Sequence, residues 1–512
     1  MNKTGQGWMV AAVMAAATAS TWGWAPRGWW LLIPMAFSVL LYALSCTRSP
    51  WAAWWLGWTF GTASQLVGHR WMYTAMTTKA GMDSLGATLQ FCVLALYLGL
   101  STGLAALVWK ALHRKHGQDG NPGGLALSAV SFAVLITLAE WARSVAFGGF
   151  SSLSVGYAFT DTWMRGYMPI GGVWCASFAV LLTTALACQI PWMASRRQQA
   201  LALIIAIGVV AGGAGLTEIN WVQASGLPLS YRLLQPNVAQ DLKFDPNHIT
   251  QQLEALTRHL ESERADIILT PETAVPLFFT QLPAGMTERW QARSATGNSH
   301  LFVGMPMLDE AGRAHNAMLH LSPDTQALAA YHKVRLMPFG EYTPKGLEWT
   351  TRDLALPLKD LVPGSLDQAS FQGPAHQGIG VLMCQEELMG EDARRAAAQA
   401  GVILNPSNLA WFDESAAIAQ RLQIVRVRAL EIGRPILRSA NTGVTAHIDH
   451  TGEVKAAAPE RRLTALSGMV QPMQGRTPYA ALGDLPFLAV ALGWLFVQAS
   501  VTIRFRFASE HP

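Results

Sequence analysis

The sequence predicts a multi-pass α-helical membrane domain joined to an α/β domain. Of its 512 residues, 51% are hydrophobic and only 14% are charged, whereas an average soluble domain has about 25% charged residues. Charges are sparse before residue 218 and dense from 228 to 470, so one membrane part and one soluble part are expected. The net charge of +4 is small and scattered, which argues against a nucleic-acid partner.

Seven apolar stretches before the soluble part, and one after it, are long enough to cross a bilayer. A hydrocarbon core of ~30 Å requires ~20 apolar residues in a helix. The stretches are 8–25, 29–46, 51–68, 86–109, 125–147, 168–193, 199–217 and 485–503. We therefore expect a seven-helix transmembrane domain at 1–217, a soluble domain at 218–484, and a transmembrane helix with a cytoplasmic tail at 485–512.

Basic residues in the short loops predict the orientation of these helices. With the N-terminus inside, nine Lys and Arg fall in cytoplasmic loops and five in outer loops, and the basic pairs 114–115 and 196–197 lie inside. This bias satisfies the positive-inside rule. Seven crossings then place residues 218–484 outside the cytoplasm, in the periplasm of a bacterium.

The N-terminus has a second interpretation. Lys3 followed by an apolar run could be a cleavable signal peptide. We favour an uncleaved helix because Trp22 and Trp24 are typical of an interfacial anchor. Cleavage would leave the remaining topology unchanged.

Strands and helices alternate in the soluble part, which indicates a layered α/β architecture. Apolar residues at helical spacing predict a helix at 249–262, and paired runs at 316–321 and 327–331 predict a hairpin. The remaining predicted strands are 229–234, 266–270, 301–304, 402–404, 434–439 and 444–449, and the remaining helices are 391–400 and 416–431.

Cys384 is the cysteine of the soluble part, and it stands between the apolar run 378–383 and a probable helix start. A thiolate is a nucleophile, a helix N-terminus lowers its pKa, and the N–H groups there could stabilise an oxyanion. The alternative is a buried structural cysteine. The acidic neighbours Glu386, Glu387 and Glu391 disfavour burial and an unaided thiolate, so activation requires a nearby cation.

The other candidate groups also follow strand-like runs. Glu272 lies in a turn between Pro271 and Pro276, where a carboxylate is positioned to act as a general base; a surface turn acid is the alternative. Lys333 could neutralise a thiolate, or could be an ordinary strand-end lysine. Glu341 lies eight residues further on, in a proline-bounded loop.

Two apolar loop segments allow two interpretations. Residues 274–279 follow the candidate base, and residues 346–366 carry scattered leucines and Trp349. Such loops could dip into a bilayer and admit an acyl chain. They could equally belong to the core of an ordinary domain.

Together these residues resemble a known family. Pro271-Glu272, the segment from Lys333 to Glu341, and Cys384 are similar to the Glu–Lys–Cys triad of the nitrilase superfamily. The seven helices before the domain and one after it resemble its membrane branch, the apolipoprotein N-acyltransferases. Further matching motifs are Gln235-Pro236-Asn237, Leu242-Lys243-Phe244-Asp245-Pro246, 405–412, 426–435 and 438–444.

The resemblance implies an αββα sandwich and a two-step reaction without cofactor or metal. Cys384 would take an acyl chain from a phospholipid as a thioester and pass it to the N-terminal amine of a diacylglyceryl-cysteine apolipoprotein. Glu272 would be the base and Lys333 would stabilise the oxyanions. The resemblance further implies a monomer in the bacterial inner membrane with its catalytic domain in the periplasm.

Four more residues are implied in support or substrate binding: Glu341, Glu386, Trp411 and Gln385. The sequence departs from the family's pattern twice. Gln385 follows the nucleophile, where the family usually has an aromatic residue, and Leu409 stands where it usually has aspartate. Both departures flank the site, so they bear on substrate recognition.

Two other functions stay open. With water as the acceptor, the same triad would form a membrane-bound amidase or lipid hydrolase. Nitrilase-like membrane paralogues also occur among conjugal-transfer proteins, so a non-acylating assembly factor is the third hypothesis.

Overall fold

The computed structural model describes residues 3–113, 122–146, 149–346, 348, 358–412 and 414–510. The basic pair 114–115 and the apolar residues Leu347, Trp349, Leu354 and Leu356 lie outside the described residues. Two compact units are present. The first comprises Met1–Arg70, Thr88–Asn220 and Thr477–Pro512, and the second comprises Trp71–Ala87 and Trp221–Arg476.

The first unit is built from helices, and its described part has no strand. Its helices are α1 (Lys3–Ser20), α2 (Leu32–Cys46), α3 (Pro50–Gly68), α5 (Ser84–Leu112, whose first turn belongs to the second unit), α6 (Pro122–Val145), α7 (Met168–Gln189), α8 (Arg196–Thr217), α13 (Pro478–Leu482) and α14 (Leu485–Glu510). Each of the eight apolar stretches therefore contains a helix. Many of their apolar side chains face outward, including Leu89, Ile204 and Phe496.

Four of the described helical segments are long and apolar enough to cross a membrane: Ser84–Leu112, Leu125–Val145, Trp163–Trp192 and Arg196–Thr217. Two shorter apolar helical segments, Leu32–Cys46 and Leu485–Ser500, are also present. Together they form a multi-pass α-helical membrane domain. The number of crossings and their orientation stay predictions.

The second unit contains two six-stranded mixed sheets. The strands of this unit are β1 (Val222–Ala224), β2 (Leu229–Gln235), β3 (Ile267–Leu269), β4 (His300–Leu308), β5 (Ala314–Leu321), β6 (Ala329–His332), β7 (Phe371–Gln372), β8 (Gly378–Val381), β9 (Val402–Ser407), β10 (Ile436–Ala440), β11 (Ala446–Ile448), β12 (Val454–Ala457), β13 (Thr464–Val470) and β14 (Met473–Gly475). One six-stranded sheet has the strand order β13-β2-β3-β4-β5-β6, and the other has the order β12-β11-β10-β9-β8-β7. The helices are α4 (Arg70–Thr74), α9 (Pro246–Ser262), α10 (Met286–Gly297), α11 (Gly390–Ala396) and α12 (Ala416–Ile432).

Three apolar clusters show how these elements are layered. The central cluster joins one face of each sheet, with Leu233 and Phe302 on one side and Val381 and Leu404 on the other. The outer face of the first sheet packs on α9 and α10 around the fully buried Trp290. The outer face of the second sheet packs on α11 and α12. The unit is therefore an αββα sandwich, as expected.

Local sequence explains the ends of the helices that flank the site. Asp245 caps α9 by accepting a hydrogen bond from the Asn247 N–H at 3.0 Å, and a proline occupies the first turn. Ser415 caps α12 in the same way, and Gly433 ends it at φ +63°, a conformation that favours glycine.

Most predicted elements are present, with shifted ends. The strand predicted at 301–304 extends over His300–Leu308, and the helix predicted at 391–400 ends at Ala396. The sequence reading missed α10 and the short strands β1, β7, β12 and β14, as well as β13. It also assigned residues 71–87 to the membrane part, whereas they join the second unit.

The apolar segment 274–279 belongs to the core and not to an exposed loop. Val275 is fully buried, and Leu277 and Phe279 pack against the cluster beneath α9 and α10. In the second segment, Leu361 is buried while Leu366 is half exposed. The core interpretation therefore holds for 274–279.

Candidate active site

Glu272 follows β3 and is almost completely buried. One carboxylate oxygen accepts hydrogen bonds from Lys333 Nζ at 2.7 Å and Asn316 Nδ2 at 2.9 Å. The other accepts the backbone N–H of Asn408 at 3.0 Å. Burial alone would raise the pKa of Glu272, but the Lys333 ammonium and hydrogen bonds from Lys333 and Cys384 hold it below its ordinary value. The residue is therefore a carboxylate at neutral pH, and not a surface turn acid.

Lys333 directly follows β6 and is 2% exposed. Its Nζ lies 2.7 Å from Glu272 Oε1 and 2.7 Å from Glu341 Oε2. Desolvation would lower the pKa of Lys333, but the two carboxylates outweigh it and raise the pKa. The side chain is thus a permanent buried cation, and not an ordinary strand-end lysine.

Glu341 is the second acid on Lys333, and Asn316 joins the two acids. The amide nitrogen of Asn316 donates to Glu272 Oε1 at 2.9 Å and to Glu341 Oε1 at 2.7 Å. Glu341 also accepts the backbone N–H of Met337 at 2.7 Å. This placement agrees with a supporting role for Glu341, whereas Asn316 was missed because asparagine inside a strand has no recognisable pattern.

Cys384 lies at the turn after β8 and is half-buried. Its φ of +44° is in the left-handed region, which a residue with a Cβ adopts only when its surroundings impose it. Burial, followed by the Glu272 charge, raises the pKa of its thiol to about 12, although Lys333 and Arg421 act in the opposite direction. The resting side chain is therefore a thiol facing a carboxylate.

Two of the three acidic residues after Cys384 are buried, contrary to the expectation that these neighbours disfavour burial. Glu386 and Glu387 are both 0% exposed. They are tolerated because each carboxylate has partners: backbone N–H groups donate to Glu386, and Glu387 forms ion pairs with Arg421 at 2.5 Å and Arg438 at 2.6 Å. Burying an acid is costly only when it lacks such partners.

Glu386 connects the segments that carry Lys333 and Cys384. One of its oxygens accepts the Val334 N–H at 2.6 Å and the Tyr331 hydroxyl at 2.8 Å. The other accepts the Met383 N–H at 2.6 Å. Burial raises the pKa of Glu386 to about 7 against the effect of these donors. Its buried position indicates support of the site.

Gln385 and Trp411 are both half-buried. The Gln385 side-chain oxygen accepts a hydrogen bond from Arg421 Nη1 at 3.2 Å. Arg421 was missed by the sequence reading because it lies 37 residues after Cys384 on α12, where spacing along the chain indicates nothing.

Lys243 is a second buried ammonium that the sequence reading did not place at the site. It is 3% exposed, and its Nζ donates to the Glu272 backbone carbonyl at 3.3 Å. Desolvation lowers its pKa to about 8, while the charges of Glu272 and Cys384 oppose the shift.

The second unit is an αββα sandwich with an acid, an ammonium and a thiol at its strand ends, which is the arrangement expected of the nitrilase superfamily. The carbon-nitrogen hydrolase family model matches residues 232–477, and the model of the apolipoprotein N-acyltransferase N-terminal domain matches residues 16–186. The chain belongs to the apolipoprotein N-acyltransferase family, and it is an enzyme of the membrane branch of the carbon-nitrogen hydrolases.

Several relatives match over nearly the whole length. The apolipoprotein N-acyltransferase of Chromobacterium violaceum is 34% identical over 95% of this chain and 94% of its own. That of Ralstonia nicotianae is 34% identical over 95% and 92%, and that of Bordetella bronchiseptica 32% identical over 98% of each. A solved carbon-nitrogen hydrolase from Helicobacter pylori is 15% identical over 53% of this chain and 95% of its own, with a TM-score of 0.35.

Glu386→Gln tests the link between the two strand ends. The amide nitrogen faces either the Met383 N–H or the Val334 N–H, so one buried donor loses its acceptor, at a cost of about 1–3 kcal/mol. Limited proteolysis across a urea titration measures the loss. Glu391→Gln is the control, because Glu391 pairs with Arg394 at the partly exposed surface and such pairs contribute about 0–1 kcal/mol. Equal stability of the two variants would contradict the link.

The variant Glu272→Gln tests whether the charge of Glu272 raises the pKa of the Cys384 thiol. Removing the carboxylate lowers the Cys384 thiol pKa, because Lys333 stays charged beside Glu341. Alkylation of Cys384 by iodoacetamide, followed by intact mass between pH 7 and 10, is expected to accelerate about threefold for each unit of pKa lost, because the thiolate fraction rises about tenfold while the thiolate becomes less nucleophilic. Asp309→Asn, a change in the same unit outside the site, leaves the profile unchanged. Slower alkylation of Glu272→Gln would show that the carboxylate does not raise the thiol pKa.

Proposed function

We propose that the chain moves an acyl chain from a membrane phospholipid to the N-terminal amine of a diacylglyceryl-cysteine apolipoprotein. The carrying observation is a carboxylate, Glu272, that is held ionised by Lys333 and faces the Cys384 thiol. The membrane helices and the family of the chain support a lipid donor over a soluble one. The chemistry requires neither a metal nor a cofactor.

In the first half-reaction, Glu272 takes the Cys384 proton as the sulfur attacks the ester carbonyl of the phospholipid. The Lys333 ammonium stabilises the oxyanion that forms. When the intermediate collapses, the C–O bond breaks and Glu272 returns the proton to the leaving alkoxide. The products are an acyl thioester on Cys384 and a lysophospholipid.

In the second half-reaction, the neutral amine of the apolipoprotein attacks the thioester carbonyl. Glu272 accepts the amine proton, and the C–S bond breaks as the amide forms. The proton returns to sulfur, which restores the resting thiol. One carboxylate therefore acts as base and acid in both halves.

The surrounding residues have supporting and substrate-recognition roles in the proposed reaction. Glu341 and Asn316 keep Lys333 and Glu272 in place through the hydrogen bonds described above. Gln385 directly follows the nucleophile, Trp411 lies three residues after Asn408, whose N–H binds Glu272, and both are proposed to take part in substrate recognition. The chain is proposed to work as a monomer in the bacterial inner membrane.

Intact mass of the purified protein tests the first half-reaction. Mixed micelles of dipalmitoylphosphatidylethanolamine or dipalmitoylphosphatidylglycerol, assayed separately, are expected to add one palmitoyl group that hydroxylamine removes. Cys384→Ser loses this adduct or replaces it by a hydroxylamine-resistant ester. Cys188→Ser, which changes a thiol of helix α7, keeps it. An absent adduct with both lipids would contradict the lipid-donor proposal.

The fate of the adduct distinguishes the acceptors. A synthetic diacylglyceryl-cysteine peptide is expected to discharge the thioester and gain the palmitoyl group as an amide. Release of free fatty acid at the same rate without the peptide would instead favour the hydrolase. Unchanged function of Cys384→Ala in cells would favour the assembly factor.

We also propose seven membrane crossings before residue 218 and a periplasmic catalytic domain. The exposed Lys455 lies in the second unit, and the exposed Arg196 is the first residue of α8. In intact cells, a membrane-impermeant maleimide is expected to label Lys455→Cys but not Arg196→Cys, above the background of the parent protein. Labelling of Arg196→Cys but not of Lys455→Cys would show that the orientation is the reverse of the one proposed.

A further inference from the structure

Arg421 contacts the turn that carries the nucleophile. It lies on α12 and is 7% exposed. Its Nη2 donates to the backbone carbonyl of Cys384 at 2.9 Å and lies 4.0 Å from the Cys384 sulfur. Its Nη1 donates to the side-chain oxygen of Gln385 at 3.2 Å.

An ion pair with the buried Glu387 fixes the position of Arg421. Its Nε lies 2.5 Å from one oxygen of Glu387, and Arg438 Nη1 lies 2.6 Å from the other. Glu387 and Arg438 are both 0% exposed. The guanidinium therefore sits between a buried anion and the nucleophile turn, and the proton transfers proposed above do not use it.

The backbone of Cys384 requires such support. A residue with a Cβ at φ +44° is strained, and the strain persists only when the surroundings hold it. The hydrogen bond from Arg421 to the Cys384 carbonyl fixes the orientation of the following peptide. The direction of that peptide decides where the thiol points.

We propose that Arg421 is a positioning residue that holds the Cys384 peptide in its left-handed conformation and so directs the sulfur at the Glu272 carboxylate. Gln385 is the side chain that completes this arrangement. The proposal rests on the assignment of Cys384 as the nucleophile. It adds a residue, and a reason for Gln385, that the reaction scheme does not contain.

The residue after the nucleophile is in direct contact with Arg421. It is an amide whose side-chain oxygen accepts a hydrogen bond from Arg421 Nη1. An aromatic ring offers no acceptor there. Gln385 and Arg421 therefore form a pair in which each residue accounts for the other.

The guanidinium fork is needed as well as its charge. Two different acceptors, on Gln385 and Cys384, take hydrogen bonds from the two terminal nitrogens of one planar group, and its Nε forms an ion pair with Glu387. A lysine keeps the positive charge but concentrates its donors on one atom. Arg421→Lys therefore keeps the charge and loses the geometry, whereas Arg421→Gln loses both.

Two measurements on the full-length protein in detergent distinguish charge from geometry. The first is the pH profile of Cys384 alkylation by iodoacetamide, which needs no lipid. The second is the rate of acyl-adduct formation with dipalmitoylphosphatidylethanolamine. Arg426→Lys is the matched control, because Arg426 is on the same helix and donates to the Gly452 carbonyl at 2.8 Å, away from the nucleophile.

Arg421→Gln is expected to move the alkylation profile to higher pH by about one unit, since the guanidinium charge favours the thiolate. Arg421→Lys leaves the profile near that of the parent but slows acylation about 10- to 100-fold, the range for a lost hydrogen bond to a charged group. Arg426→Lys changes neither. Parent-like acylation of Arg421→Lys overturns the positioning role, as does an unchanged profile in folded Arg421→Gln.

Substitutions of Gln385 test the pair even if changes at Arg421 prevent folding. Gln385→Glu keeps an acceptor for Arg421, so its acylation is expected to exceed that of Gln385→Phe. Gln385→Phe places an aromatic ring there and removes the acceptor, so acylation falls about tenfold. Acylation by Gln385→Phe that equals or exceeds that of the parent overturns the pairing.

Failure of this proposal is distinct from failure of the proposed function. If the parent forms no acyl adduct, the lipid-donor function fails, yet the alkylation profiles still decide whether Arg421 acts on Cys384. If the parent acylates normally and the Arg421 variants match it in both measurements, the positioning role alone fails.

Discussion

The buried ion pair between Lys333 and Glu272 is the interaction on which the site depends. A lone ammonium or carboxylate at this depth would be neutral, because desolvation penalises charge. Together with Glu341 they form a cluster of two acids and one base, in which each charge is bound by the others and by Asn316. The ion pair keeps Glu272 ionised, and the adjacent Cys384 thiol stays protonated. In the proposed reaction, these are the resting states of the base and of the group that it deprotonates.

The same cluster joins the two sheets of the sandwich. Glu272 and Lys333 follow strands of the first sheet, whereas Asn408 and Cys384 follow strands of the second. The Asn408 N–H binds Glu272, and Glu386 binds backbone N–H groups beside both Lys333 and Cys384. Polar groups thus cross the end of an apolar core and set the distance between acid, base and nucleophile. Removing one partner would leave its counterpart buried and unsatisfied, a loss of about 3–5 kcal/mol for a buried charge.

A second polar cluster sits behind the nucleophile. Glu387 and Arg438 are fully buried, and Arg421 extends from them to the Cys384 turn. Two guanidinium groups thus contact one carboxylate, and one of them also binds the strained Cys384 turn. In the reaction proposed above, the Glu272–Lys333 cluster provides the proton transfer and the oxyanion site, and the Glu387–Arg421–Arg438 cluster is proposed to set the geometry of the sulfur.

Sequence by itself determined the division into apolar helices and an α/β unit and most strand and helix positions, because these follow from periodicity, a local property of the chain. It also predicted Glu272, Lys333, Glu341 and Cys384 as candidate site residues, from polar residues after strand-like runs and from the resemblance to the nitrilase superfamily. Only the tertiary structure decided that Glu386 and Glu387 are buried, that Asn316 and Arg421 reach the site, and that 71–87 joins the catalytic unit. The physical reason is that the cost of burying a polar group depends on its partners, and those partners come from distant segments that only the fold brings together.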